Sequence, residues 1–133
     1  MTLTPEQKGA VVPPGFVEQW SANAIATDPR SNETDPPRLR APAGVVKDVF
    51  EHWSVEKPTY DPSAIRAPTL CIVGEWDRET VPEKGLEVFN LLENAADRRY
   101  VVIGRGTHTL LLEKNRLGLH SAVEGFLKEG WPS

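Results

Sequence analysis

An α/β fold is expected from three observations in the second half of this chain. Two short apolar runs, Thr69-Leu-Cys-Ile-Val-Gly-Glu-Trp-Asp77 and Tyr100-Val-Val-Ile-Gly-Arg-Gly-Thr-His108, have the length and continuity of strands covered on both faces. A segment with helical apolar spacing lies between them. A further helical pattern follows the second run. A strand–helix–strand unit of this length reads as parallel, with a right-handed crossover.

The elements follow in order. The first part, to about residue 58, is expected to be helical and interrupted by prolines. Pro13 and Pro14 precede Phe16 and Trp20, which share a helical face. Thr27 to Pro42 holds Pro29, Pro36, Pro37 and Pro42 and reads as a long loop. Gly44 to Glu56 carries an apolar stripe of Val45, Val46, Val49, Phe50 and Trp53, and Pro58 is expected to end that helix. The first strand spans Leu70 to Val73. Thr80-Val-Pro-Glu83 then reads as a capping box that starts a helix with Leu86, Phe89 and Leu92 toward the sheet. Arg99 to Ile103 is the second strand. Asn115 is placed to cap a last helix with Leu119, Ala122, Val123, Phe126 and Leu127 inward, and Gly130 and Pro132 mark its end.

Composition narrows the function class. The 133 residues are 39% hydrophobic and 26% charged, which fits one globular domain of ordinary size. A net charge of −4 without any basic block argues against a nucleic-acid partner. No apolar run approaches the roughly 20 residues that cross a bilayer, and the N-terminus lacks an apolar signal core, so no membrane partner and a cytoplasmic location are expected. The single Cys71 cannot form an intramolecular disulfide and reads as a structural thiol within a strand.

The chemistry is carried by Asp77 and His108. Each follows a strand, so parallel pairing brings both to the carboxyl end of one sheet, where open α/β sheets place their sites. An Asp there can orient a His, and the His can act as a general base. Asp77 also has a bland reading as a helix cap, which Thr80 already offers. His108 has one as a satisfied loop histidine. Its position directly after Gly106-Thr107 at a strand end favours the chemical role.

With these residues the chain resembles the C-terminal half of an α/β-hydrolase. Ala67-Pro-Thr-Leu-Cys-Ile-Val-Gly-Glu-Trp-Asp77 resembles the seventh core strand with the triad acid. Val102-Ile-Gly-Arg-Gly-Thr-His108 resembles the eighth strand with the triad His, and Glu113 to Lys128 the final helix. The resemblance covers residues 60 to 128; residues 1 to 58 resemble the helical cap that many members insert. It implies a domain division into 1–58, a cap-like segment, and 59–133, the C-terminal part of the core. It also implies an ester-type hydrolase without cofactor or metal, with Asp77 and His108 as catalytic residues acting on a small-molecule substrate. The family orders its triad as nucleophile, acid, His. Here the acid and His are in that order, but no Gly-x-Ser-x-Gly elbow occurs. Ser21, Ser31, Ser54, Ser63 and Ser121 all lie on helical or loop stretches and are rejected as the nucleophile. The chain therefore resembles a truncated member or one piece of a larger one, inactive alone. The alternative is a non-catalytic assembly or binding module built from the same fold.

His52 and His120 read as structural, and the three histidines lack the close spacing of a zinc site. Trp20 and Trp53 read as packing residues. Trp76 is expected to point away from Asp77, and Glu75 is given no catalytic part. An open strand edge beside apolar helix stripes leads to a last expectation: self-association as a symmetric homodimer, or a poorly folded isolated chain.

Overall fold

The parallel pair that the apolar runs predict is present. In the computed structural model, which describes residues 4–55, 57 and 59–131, β1 (Thr69–Gly74) pairs in parallel with β2 (Arg98–Ile103). The register runs from Thr69 opposite Arg98 to Gly74 opposite Ile103, so both strands end at the same level. The helix α4 (Pro82–Leu91) makes the crossover and packs on both strands, and α5 (Arg116–Lys128) also contacts both. The class is mixed α/β.

The chain divides into two units, Gly15–Asp61 and Met1–Pro14 with Pro62–Ser133. The second contains the strands. Its interior is small: Val11, Val73, Leu92, Leu110 and Phe126 are its buried apolar side chains among the described residues. Val11 comes from α1 (Pro5–Val11), so the first helix belongs with the sheet and not with the helical segment of residues 1–58. The beginning of α1 is local chemistry. Thr4 Oγ1 accepts the Gln7 N–H at 3.1 Å, and Gln7 Oε1 accepts the Thr4 N–H at 2.8 Å, a reciprocal capping box with proline at the first helical position. Its end is tertiary. Lys114 donates its backbone N–H to the Val11 carbonyl and its ammonium to the Gly9 carbonyl, both at 2.9 Å, filling acceptors that a helix C-terminus leaves open.

The second capping box, expected at Thr80 to Glu83, does not form. The residue before α4 is Val81 in extended conformation, with no side-chain cap, which puts Glu83 at the second helical position rather than the third. Pro82 leads the helix without an N–H to satisfy. Asn115 does precede α5, but its amide donates to the Gly104 carbonyl at 2.5 Å instead of accepting from the helix.

The inward stripe of α5 is only partly inward. Phe126 is buried, Leu119 and Ala122 are half-buried, and Val123 and Leu127 are exposed, Leu127 by 71%. Two strands are too narrow a platform to cover so wide a face. Along α4, Leu92 is 1% exposed and Phe89 half-buried, while Leu86 is exposed.

The Gly15–Asp61 unit holds α2 (Phe16–Ala26) and α3 (Gly44–Glu51). Gly15 enters α2 with φ of 73°, a conformation glycine adopts without steric cost. The long loop between the helices is pinned by Asp28. Its carboxylate accepts the Arg30 N–H at 2.9 Å, the Arg40 N–H at 3.0 Å, and the Arg40 guanidinium at 2.8 and 2.5 Å. The helix expected over Gly44–Glu56 stops at Glu51. His52 leaves helical geometry and a 3-10 turn spans Trp53–Val55. Glu56, Pro58 and Pro132, to which the sequence assigns helix ends, lie outside the described residues. The α3 stripe is exposed, with Phe50 at 72%.

Candidate functional site

The equal strand ends bring two loops side by side. Glu75 donates its N–H to the Ile103 carbonyl at 2.9 Å, and Trp76 donates its N–H to the Gly106 carbonyl at 2.8 Å. These bonds continue the sheet pairing past the last strand residues and tie the loop after β1 to the loop after β2. Gly74 permits the approach. A Cβ there would lie 2.5 Å from the Gly106 carbonyl carbon and 2.9 Å from the Thr107 carbonyl oxygen. Arg105, at φ of 57°, turns the second loop, and its N–H donates to Glu75 Oε2 at 2.7 Å.

Asp77 and His108 meet across this junction. Asp77 Oδ2 and His108 Nδ1 are 3.1 Å apart, so the two predicted site residues are within hydrogen-bond reach. The two carboxylate oxygens divide their work. Oδ1 accepts the backbone N–H groups of Glu79 and Thr80, each at 2.9 Å, and Oδ2 is left for the imidazole. Asp77 thus performs the loop-capping role that the sequence suggests for Thr80, and orients the ring as well. It is 6% exposed, while the His108 side chain is half exposed.

A carboxylate only accepts, so the bond to Asp77 needs the His108 proton on Nδ1. That leaves the lone pair of the neutral ring on Nε2. Glu79 Oε2 lies 3.4 Å from Nε2 and can pair with it when the ring is protonated. The pair opens on a cleft of about 280 Å³, lined by Asp77, Thr80, Thr107 and His108 on the polar side and by Ile72, Leu110 and Leu119 on the apolar side. Leu111 and Leu119 also border a wider apolar groove of about 720 Å³ that runs along α5 past Val123 and Leu127. The arrangement can take a proton at Nε2 and stabilise the resulting imidazolium through Asp77.

Glu113 is the residue that sequence reasoning misses. It is 0% exposed. Its carboxylate accepts the Thr107 N–H at 3.0 and 3.2 Å, the Thr107 hydroxyl, and the Thr109 hydroxyl at 3.2 Å. The sequence carries no signal for it, since of the three preceding leucines only Leu110 is buried and Leu111 is 65% exposed.

The remaining candidates lie elsewhere. Glu75 holds the Arg105 backbone. Trp76 borders a separate cavity with Val11 and Arg105, directed from Asp77 by the turn. Cys71 is half-buried, and burial pushes its thiol pKa up, away from nucleophilic use. Trp20, Trp53 and His52 lie in the Gly15–Asp61 unit, and His120 is exposed on α5. No serine lines the cleft among the described residues. Among them, no group of three or more His, Cys, Asp or Glu side chains is arranged to hold a metal ion, and no helix is long and apolar enough to cross a membrane.

No family model matches the chain, and no significant match to a curated protein or to a solved structure was found.

Proposed function

We propose that Asp77 and His108 are the acid and the base of an α/β-hydrolase-type site, and that residues 60–128 correspond to the last two strands and final helix of that fold. The observation that carries this reading is the 3.1 Å approach of Asp77 Oδ2 to His108 Nδ1 at the carboxyl ends of two parallel strands. The two backbone N–H groups on Oδ1 support it further, since they hold the carboxylate still while it orients the ring.

In such a site His108 Nε2 takes the proton of an oxygen nucleophile as that oxygen attacks an ester carbonyl carbon. The carbon–oxygen bond to the alcohol then breaks, and the same nitrogen returns the proton to the departing alcohol. Water repeats the cycle to release the acid. Asp77 keeps the ring in the required tautomer throughout. The nucleophile and the oxyanion donors are supplied by a segment other than these residues, and ester substrates follow from the resemblance alone. The exposed Val123 and Leu127 on α5 favour a second reading, a binding module that uses this surface without chemistry.

One measurement tests the chain by itself, and a second, with a complementary segment present, separates the readings. The chain alone should hydrolyse an activated aryl ester no faster than its His108→Ala variant, because a base without nucleophile and oxyanion donors lacks most of the rate advantage. A complementary α/β-hydrolase segment that carries a nucleophile elbow and oxyanion donors supplies what these residues lack. Co-expressed with that segment, the chain should turn over esters, and His108→Ala should cut the rate by about 10²–10⁴-fold. Turnover indifferent to His108→Ala would leave the binding module as the better reading.

A further inference from the structure

A carboxylate removed from water is strongly destabilising unless charge-assisted hydrogen bonds satisfy it. Glu113 is wholly buried, and the origin of its donors is specific. Every side-chain hydrogen bond described for it comes from Thr107 or Thr109, the residues on either side of His108. The main chain of Glu113 is held in turn. Its N–H donates to the Leu110 carbonyl at 3.2 Å, and its carbonyl accepts from the Arg116 N–H at 3.2 Å and the Arg116 guanidinium at 2.8 Å. The opposite side of the loop is held by the Trp76 N–H on the Gly106 carbonyl.

We propose that Glu113 is a positioning residue for His108: it grips the backbone before and the hydroxyls on both sides of the imidazole, so that the ring meets Asp77 through Nδ1 and presents Nε2 to the cleft. The proposal deepens the hydrolase reading and takes its purpose from it. The geometry it asserts is testable without turnover. A loop anchor with no bearing on His108 would affect stability alone, whereas a positioning residue sets the tautomer of the ring.

The test is nitrogen-15 NMR of the histidine ring and hydrogen exchange at the Thr107 amide, in the full chain and three variants. In the unmodified chain His108 should show an Nδ1–H resonance. In Glu113→Ala that resonance should be lost, the ring should relax toward the Nε2–H tautomer, and the Thr107 amide should exchange at least about tenfold faster, as expected for loss of a hydrogen bond to a charged acceptor. Glu113→Gln keeps the shape and an acceptor oxygen but loses one acceptor atom and the charge. It should shift the same two signals by a smaller amount, and it decides the matter if Glu113→Ala does not fold. Tyr100→Phe is the stability control. It removes the hydroxyl that donates to the Pro82 carbonyl at 2.5 Å, away from the loop, and should leave both signals in place. An unchanged Nδ1–H resonance and unchanged Thr107 exchange in Glu113→Gln would overturn the proposal, as would their loss in Tyr100→Phe. Absence of the Nδ1–H resonance from the unmodified chain would instead defeat the Asp77–His108 pairing itself, so the two failures are distinguishable.

Discussion

Replacement of Gly74 by alanine should break the junction that brings Asp77 to His108. The added methyl carbon meets backbone atoms, at 2.5 Å from the Gly106 carbonyl carbon and 2.9 Å from the Thr107 carbonyl oxygen. No flexible side chain can turn aside. To restore an ordinary separation of 3.4 Å, the loop after β2 has to retreat from β1 by roughly 1 Å. A retreat of that size carries the Trp76–Gly106 bond from 2.8 Å, and the Asp77–His108 pair from 3.1 Å, beyond hydrogen-bond range. Overpacking of a tight site costs about 1–3 kcal/mol. Each lost bond adds roughly 0.5–1.5 kcal/mol. The sum is a loss on the order of 2–6 kcal/mol. Urea unfolding followed by tryptophan fluorescence measures it as a lower midpoint at an unchanged slope. The His108 Nδ1–H resonance should disappear under native conditions. Gly125→Ala is the contrast, since Gly125 lies on α5 with nothing within 4 Å of the added carbon, and a helical glycine replaced by alanine gains about 0.5–1 kcal/mol. A Gly74→Ala protein within roughly 0.5 kcal/mol of the parent, with the His108 signal intact, would refute the packing argument.

Leu92→Ala, at a side chain 1% exposed behind α4, should cost about 2–5 kcal/mol, read from the same urea transition; a loss below roughly 1 kcal/mol would mean that the small interior does not depend on it. Acid should weaken the Gly15–Asp61 unit through Asp28. The Arg40 guanidinium, and then the backbone N–H groups of Arg30 and Arg40, hold its carboxyl well below the ordinary value of 3.8. A depressed folded value means that this contribution is present above the unfolded value and is lost as pH falls through the folded one, so protection of the Arg40 amide from exchange should decline below about pH 4. Asp28→Asn should flatten that decline, and an identical pH profile in the variant would assign the acid sensitivity elsewhere.

Local pattern determined the mixed α/β class, both strands to within a residue or two, the helix between them, and the placement of Asp77 and His108 after their strands. These features depend on contiguous apolar runs and on chain order, and parallel pairing then brings the two strand ends together without further information. Tertiary structure decided what the polar groups do. Thr80 and Glu83 spell a capping box, yet Asp77 reaches the loop N–H groups first because β1 ends beside them, and helix α4 begins one residue later than the box requires. The Thr4-Pro-Glu-Gln7 box does form, but Lys114, far along the chain, closes the other end of that helix. The exposure of Val123 and Leu127 depends on how many strands lie beneath α5, which periodicity does not record. Glu113 is the clearest case. A lone glutamate after three leucines looks like a solvated helix approach, and only the folded loop surrounds it with Thr107 and Thr109 and makes burial of its carboxylate affordable, because donor geometry is a property of three dimensions and not of spacing along the chain.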